Sequence, residues 1–192
     1  MRLAASTLFL FPLMAYGTGA AAQSLQERIA MCPACHGEKG QSVNPDIPSI
    51  GGQPRLFVMY QLFFYRDGRR KSPEMNAIAK DISDAELTAL SDYVAKLPPM
   101  QPASGPVDKA RYDRGAALAK ERRCTVCHNA DYSGREQMPR LAGQQEKYLV
   151  EAFKDYQAGA RVGTQAVMAE AVHGLGDDDF AALAHYLAHM AP

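Results

Sequence analysis

Cys32-Pro33-Ala34-Cys35-His36 and Cys124-Thr125-Val126-Cys127-His128 are two copies of one pattern, Cys-x-x-Cys-His, and together they use all four cysteines of the chain. The pattern attaches a c-type haem. Its two thiols add to the porphyrin vinyl groups, and two intervening residues let both sulfurs reach one edge of the macrocycle. The histidine directly after the second thiol then lies under the iron. Cys32, Cys35, Cys124 and Cys127 are therefore expected to carry two covalently bound haem c groups, with His36 and His128 each filling one axial position. Two disulfides would suit an exported chain but need no histidine after each pair. A zinc site built on two such pairs spaces them by ~15–20 residues, whereas Cys35 and Cys124 are 89 positions apart. A thioredoxin-like pair would sit where a strand meets a helix, and the sequence carries no strand pattern.

Aligning the chain on the two motifs exposes a tandem repeat. Cys32 matches Cys124 at an offset of 92, and Pro48-Ser49-Ile50-Gly51-Gly52-Gln53 matches Pro139-Arg140-Leu141-Ala142-Gly143-Gln144 at 91. Tyr65, Gly68 and Arg70 match Tyr156, Gly159 and Arg161 at 91, and from Met75/Met168 through Tyr93/Tyr186 the offset is 93. Drift of one or two between blocks is what loop insertions produce in a duplicated chain. The joint at residues 98–107 holds Pro98, Pro99, Pro102, Gly105 and Pro106, a composition that stops a helix and favours a stiff, extended linker. The expected division is residues 23–97, linker 98–107 and residues 108–192.

Each half reads as helical. Ser83 and Glu86 form a capping-box pattern; Leu87, Leu90, Val94 and Leu97 follow at helical spacing, and Pro98 stops the run. The acids Asp177-Asp178-Asp179 suit the start of the repeat partner, which runs through Phe180, Leu183, Leu187 and Met190. Middle helices are expected over 53–67 and 144–158, and helices leading into the motifs over 25–31 and 111–123.

Residues 1–22 read as a cleaved secretory signal: Arg2, an apolar stretch around Leu8-Phe9-Leu10-Phe11, and the small residues Ala20-Ala21-Ala22 before Gln23. The apolar run is shorter than the ~20 residues of a membrane anchor. Export to a bacterial periplasm follows. Lys+Arg and Asp+Glu are 21 each, and no basic stripe points to nucleic acid. Each half is near the size at which small domains need a metal, disulfides or another staple.

The opposite axial position separates a carrier from a catalyst, because a bound thioether closes the iron and raises its potential. Of nine methionines, Met1 and Met14 belong to the signal. Met31, Met59, Met100, Met138 and Met190 have no methionine in the matching place and read as packing residues. Only Met75 and Met168 coincide. They fall 39 and 40 residues after their histidines, in segments expected to be loops between helices, and are the expected sixth ligands. His173, His185 and His189 compete, but match Lys80, Asp92 and Lys96 and so read as solvated positions. Pro48 and Pro139 are placed to offer a carbonyl to the imidazole's other nitrogen, and Arg70 and Arg161 are candidates to neutralise haem propionates.

The motifs, together with Pro48-x-x-Gly51-Gly52-Gln53, Gly68-x-Arg70, Met75 and Tyr93, and with Pro139-x-x-Ala142-Gly143-Gln144, Gly159-x-Arg161, Met168 and Tyr186, resemble the cytochrome c4 family of dihaem c-type cytochromes over essentially the whole mature chain. The resemblance implies an all-α fold of two tandem class I cytochrome c domains facing each other, each wrapped around one haem with His/Met iron. It implies a periplasmic carrier, at most peripherally attached to the membrane, taking electrons from a quinol-oxidising complex or a dehydrogenase and passing them to a terminal oxidase. The first half departs from the pattern in lacking the glycine that Gly115 supplies in the second, which questions how its leading helix packs on its final one.

The expected function is one-electron transfer without catalysis. The alternatives are a dihaem enzyme, such as a peroxidase or sulfur-compound oxidase, and a haem subunit fixed in a membrane dehydrogenase or oxidase complex. No Ser/His/Asp or paired-carboxylate arrangement stands out to support an enzyme.

Overall fold

The computed structural model describes residues 24–161 and 165–191. The expected signal at 1–22 lies outside them. The described residues form nine α-helices and no strand, only an isolated bridge between Arg135 and Met138. The first half contains α1 (Leu25–His36), α2 (Arg55–Arg66), α3 (Pro73–Ala79) and α4 (Asp84–Lys96); the second contains α5 (Lys109–Glu121), α6 (Thr125–His128), α7 (Glu146–Gln157), α8 (Gln165–Val172) and α9 (Asp177–Ala188). None of these is long and apolar enough to cross a membrane.

The helix ends follow local chemistry. Ser83 caps α4 by accepting from the Glu86 amide, and the Glu86 carboxylate returns to the Ser83 amide. Leu87, Leu90 and Val94 then turn inward on one face. α9 has Gly176 at its N-cap, and Asp179 Oδ2 accepts from the Gly176 amide at 3.3 Å, so an acid in the first turn replaces a capping side chain. α1 begins with the same capping box, Ser24 with Glu27. It does not stop at Met31 but runs through Pro33 to His36, presenting the first Cys-x-x-Cys-His motif on its last turns. The helix closes just beyond Pro33, where the Gly37 amide donates to the Pro33 carbonyl at 3.0 Å and Gly37 takes φ +78°. In the second half Arg123 takes φ +56°, so α5 ends and the motif winds into the separate turn α6.

α5 crosses α9 at Gly115. A Cβ at Gly115 would lie 2.1 Å from the Ala182 carbonyl oxygen; only a bare backbone permits this approach. Around it Tyr186 meets Tyr112 and Tyr132 edge-on, with centroids 5.0 and 5.8 Å apart. The first half joins its corresponding helices by charge. Arg28 on α1 is buried, donates to Glu86 on α4 at 2.9 Å, and donates to the carbonyls of Ile78 and Asp81.

The proline-rich segment 98–107 is not helical, as its composition predicts, but it is packed rather than free. Met100 is fully buried, Ala103 donates to the Ala188 carbonyl at 2.8 Å, and the Gln101 amide donates to Gln41 at 2.9 Å. Gly143, at φ +76°, brings its backbone against it; a Cβ there would lie 2.7 Å from the Gln101 carbonyl oxygen. The two halves also bond directly. Phe57 donates to the Glu136 carbonyl at 2.9 Å, and Gln53 and Gln144 each reach across to the other half's backbone. The second half's core gathers Leu141, Leu149, Phe153, Phe180, Leu183 and Leu187, whereas the first half's is a smaller group around Ala79, Ile82, Leu87 and Leu90.

Candidate functional site

A cavity of about 1530 Å³ runs through both halves, larger than the roughly 300–1,000 Å³ of a single small-molecule site. Cys32, Cys35, His36 and Met75 line it from the first half, and Cys124, Cys127, His128 and Met168 from the second. All eight residues singled out from the sequence thus face one shared space.

The histidines are held identically. His36 Nδ1 lies 2.8 Å from the Pro48 carbonyl oxygen, and His128 Nδ1 lies 2.8 Å from that of Pro139. A carbonyl only accepts, so each Nδ1 carries the proton and Nε2 is left with a lone pair. Burial pushes both imidazoles below the ordinary histidine pKa, with the carbonyl bond offsetting part of that shift. They are neutral at pH 7, the form that binds iron. None of the four cysteines is in a disulfide, and burial pushes the Cys32 and Cys124 thiols up.

Met75 and Met168 sit on helices, not in the expected loops. Ser72 Oγ accepts from the Met75 amide and Pro73 opens the turn, so the segment coils into α3; Met168 is on α8. Met31 and Met138 line the cavity too. Met31 adjoins Cys32 and Met138 adjoins Pro139, which tethers both to the histidine-bearing side.

None of His173, His185 and His189 lines the cavity. His185 departs from its expected solvated position, being 6% exposed. Its Nδ1 donates to Glu146 Oε2 at 3.0 Å and its Nε2 accepts from the Asp108 amide at 3.1 Å. The repeat explains the difference. In the first half the matching positions hold Arg55 and Asp92, an exposed ion pair; the second half replaces that pair by Glu146 and His185 and covers it with the start of α5.

Arg70 and Arg161 also have partners within the protein. Both reach the cavity wall, but their guanidiniums converge on Tyr148, whose Oη accepts from Arg161 Nη2 at 2.8 Å and from Arg70 Nη2 at 3.1 Å. Arg70 also donates to Gln61 and stacks 4.6 Å over Tyr65. Burial raises the Tyr148 phenol, but the Arg161 and Arg70 charges outweigh it and bring it down to about 7.

Among the described residues, no hydrogen bond reaches the Arg140 guanidinium. It is 9% exposed, lines the cavity, and has Nε and Nη1 buried with no hydrogen-bond partner among the described residues. An unpaired buried guanidinium is costly, and a carboxylate in the cavity would satisfy it. A haem propionate is such a group, so the residues present fit a haem. The repeat could not flag Arg140, because its partner is Ser49.

Comparison with known proteins agrees with this site. The family model "Cytochrome c" matches residues 112–191, and "Cytochrome C oxidase, cbb3-type, subunit III" matches residues 19–94. The chain is 29% identical over 185 residues to cytochrome c4 of Pseudomonas aeruginosa, covering 91% of this chain and 90% of that one. It is 34% identical over 151 residues to the thiosulfate dehydrogenase electron acceptor of Thiomonas intermedia, covering 70% and 66%. The crystal structure of reduced cytochrome c4 from Pseudomonas stutzeri superposes with a TM-score of 0.77 at 26% identity, covering 86% of this chain and 96% of that one.

Proposed function

Since the chain belongs to the cytochrome c4 family of dihaem electron carriers, we propose that it is a periplasmic one-electron carrier whose two haems share the cavity between the halves. Each haem iron, when bound, supplies a reversible one-electron couple. The observation that carries this reading is the lining of that cavity: two thiols, one neutral imidazole and one repeat-matched thioether from each half.

In this reading Cys32 and Cys35, and Cys124 and Cys127, hold the porphyrins as thioethers. His36 and His128 would ligate iron through Nε2, with Nδ1 fixed on a proline carbonyl so that the ring keeps its orientation. Met75 and Met168 would supply the thioether ligands from α3 and α8. Ligands fixed on packed helices would need little rearrangement between ferrous and ferric states, and with both thioethers bound the irons would offer no site for peroxide. Arg140 would meet a propionate.

The electrons come from a dehydrogenase or a quinol-oxidising complex and go to a terminal oxidase. A dehydrogenase of reduced sulfur compounds is favoured as donor, because the Thiomonas relative is named as the electron acceptor of one. Residues 1–22 direct export and are removed before Gln23, and the two domains are residues 23–97 and 108–192.

Visible and near-infrared spectra of both oxidation states, with a pyridine haemochrome count, test the proposal. Two c-type haems with a sulfur-to-iron charge-transfer band per haem are expected. A high-spin ferric centre or turnover with peroxide overturns it.

A further inference from the structure

Each half's glutamine grips the other half's histidine-holding peptide. The peptide unit joining Pro48 to Ser49 has its carbonyl 2.8 Å from His36 Nδ1, while its N–H donates to Gln144 Oε1 at 2.8 Å. Gln144 Nε2 completes the grip by donating to the Ser49 carbonyl at 2.8 Å. The same pattern runs in the opposite direction. The Pro139 carbonyl lies 2.8 Å from His128 Nδ1, the Arg140 amide on the same peptide unit donates to Gln53 Oε1 at 2.9 Å, and Gln53 Nε2 donates to the Arg140 carbonyl at 2.9 Å. Gln53 and Gln144 are each 4% exposed, so water does not compete for these bonds.

We propose that Gln53 and Gln144 are crossed positioning residues: Gln144 sets the electron donation of His36 in the first half, and Gln53 that of His128 in the second, each acting through one planar peptide. This rests on the proposed function, in which those histidines bind iron. The peptide plane is stiff, and bonds in a chain polarise one another. An acceptor on the Ser49 N–H draws electron density toward the Pro48 oxygen and makes it a better acceptor for the His36 N–H. The imidazole gains imidazolate character, becomes a stronger donor to iron, and favours the ferric state. The potential of each half is thereby set partly by a residue of the other.

The two glutamines differ in one respect. Gln144 Oε1 also accepts from the Gln145 amide at 2.9 Å, and its Nε2 lies 3.5 Å from Met100 sulfur. Its acceptor is therefore shared, while Gln53 Oε1 is given wholly to Arg140 among the described residues. A shared acceptor polarises its peptide less, so the crossed effect is larger for Gln53.

The test uses the intact dihaem protein with Gln144→Met and Gln53→Met, which keep side-chain length and remove the acceptor, and Gln144→Leu and Gln53→Leu as a second pair should either fail to accumulate. The readouts are the two midpoint potentials and the NMR resonances of each axial histidine N–H. In the Gln144 variants the first-half potential is expected to rise and the His36 N–H signal to move and exchange faster, with the second haem unchanged. The Gln53 variants give the mirror pattern, with the larger shift. A change confined to the variant's own half, equal changes at both haems, or no change at either overturns the crossed relay. A wild-type protein without two histidine-bound c-type haems would instead remove the function reading beneath it.

Discussion

Tyr148 Oη accepts a hydrogen bond from Arg161 Nη2 at 2.8 Å, in a cluster that Arg70 enters from the other half. The matching residue in the first half is Phe57, so this one phenol serves the arginines of both. Its ordinary pKa of 10.0 is brought down to about 7; the folded state prefers the anion. The corresponding stabilisation is fully present above pH 10, declines as pH falls from 10 to 7, and is lost below about 7. Tyr148→Phe should remove that slope from denaturation measurements made across this range. An anion beside the cavity also favours ferric iron, so both midpoint potentials should fall as pH rises through about 7 in the wild type and stay flatter in the variant, as read by potentiometric titration.

Met75→Ala and Met168→Ala each remove one thioether. Each variant should lose the charge-transfer band of one haem, show one high-spin ferric centre and have one lowered potential, because the thioether is what raises it. The other haem should keep its spectrum. An unchanged spectrum in either variant refutes that ligand.

Gly115→Ala places a methyl group where the Ala182 carbonyl oxygen is 2.1 Å away. The neighbour is backbone and cannot rotate aside, so α5 and α9 must separate. Overpacking of this kind costs roughly 1–3 kcal/mol, measurable as a lowered denaturation midpoint for the second half.

Arg28→Ala strips the carbonyls of Ile78 and Asp81 of their guanidinium donor and breaks the link from α1 to α4. Hydrogen bonds made by a charged, buried donor are worth roughly 1.5–3 kcal/mol. Chemical denaturation should show the loss, and amide exchange should rise first in α1, the segment carrying Cys32, Cys35 and His36.

Much of the helical framework was legible along the chain because its signals are local. Ser83 with Glu86, the inward spacing of Leu87, Leu90 and Val94, and the stop at Pro98 lie within one stretch and act within it. The leading helix runs beyond the expected 25–31, through Pro33 to His36; a proline inside a helix is a feature that local rules treat as a stop. The segments of Met75 and Met168, expected as loops, form the short helices α3 and α8, and a short helix depends on what it packs against.

His185 shows why charge matching across a repeat misleads. A residue aligned with Asp92 looked solvated, yet the two halves solve the same contact with different pairs, Arg55 with Asp92 and Glu146 with His185. Only the start of α5, folded over the second pair, makes one of them buried.

By itself the sequence determined that two haems are attached, that the chain is a duplication, and which methionines occupy matching places. Those conclusions rest on covalent chemistry and spacing, which a linear chain carries in full. The tertiary structure alone decided that Arg140, not Arg70 or Arg161, is left without partners beside the cavity, that Tyr148 joins both arginines, and that Gln53 and Gln144 hold each other's half. Of these pairings, the ones that join the two halves span 78 to 95 positions, and no local rule encodes a bond that exists only after the two halves close on each other.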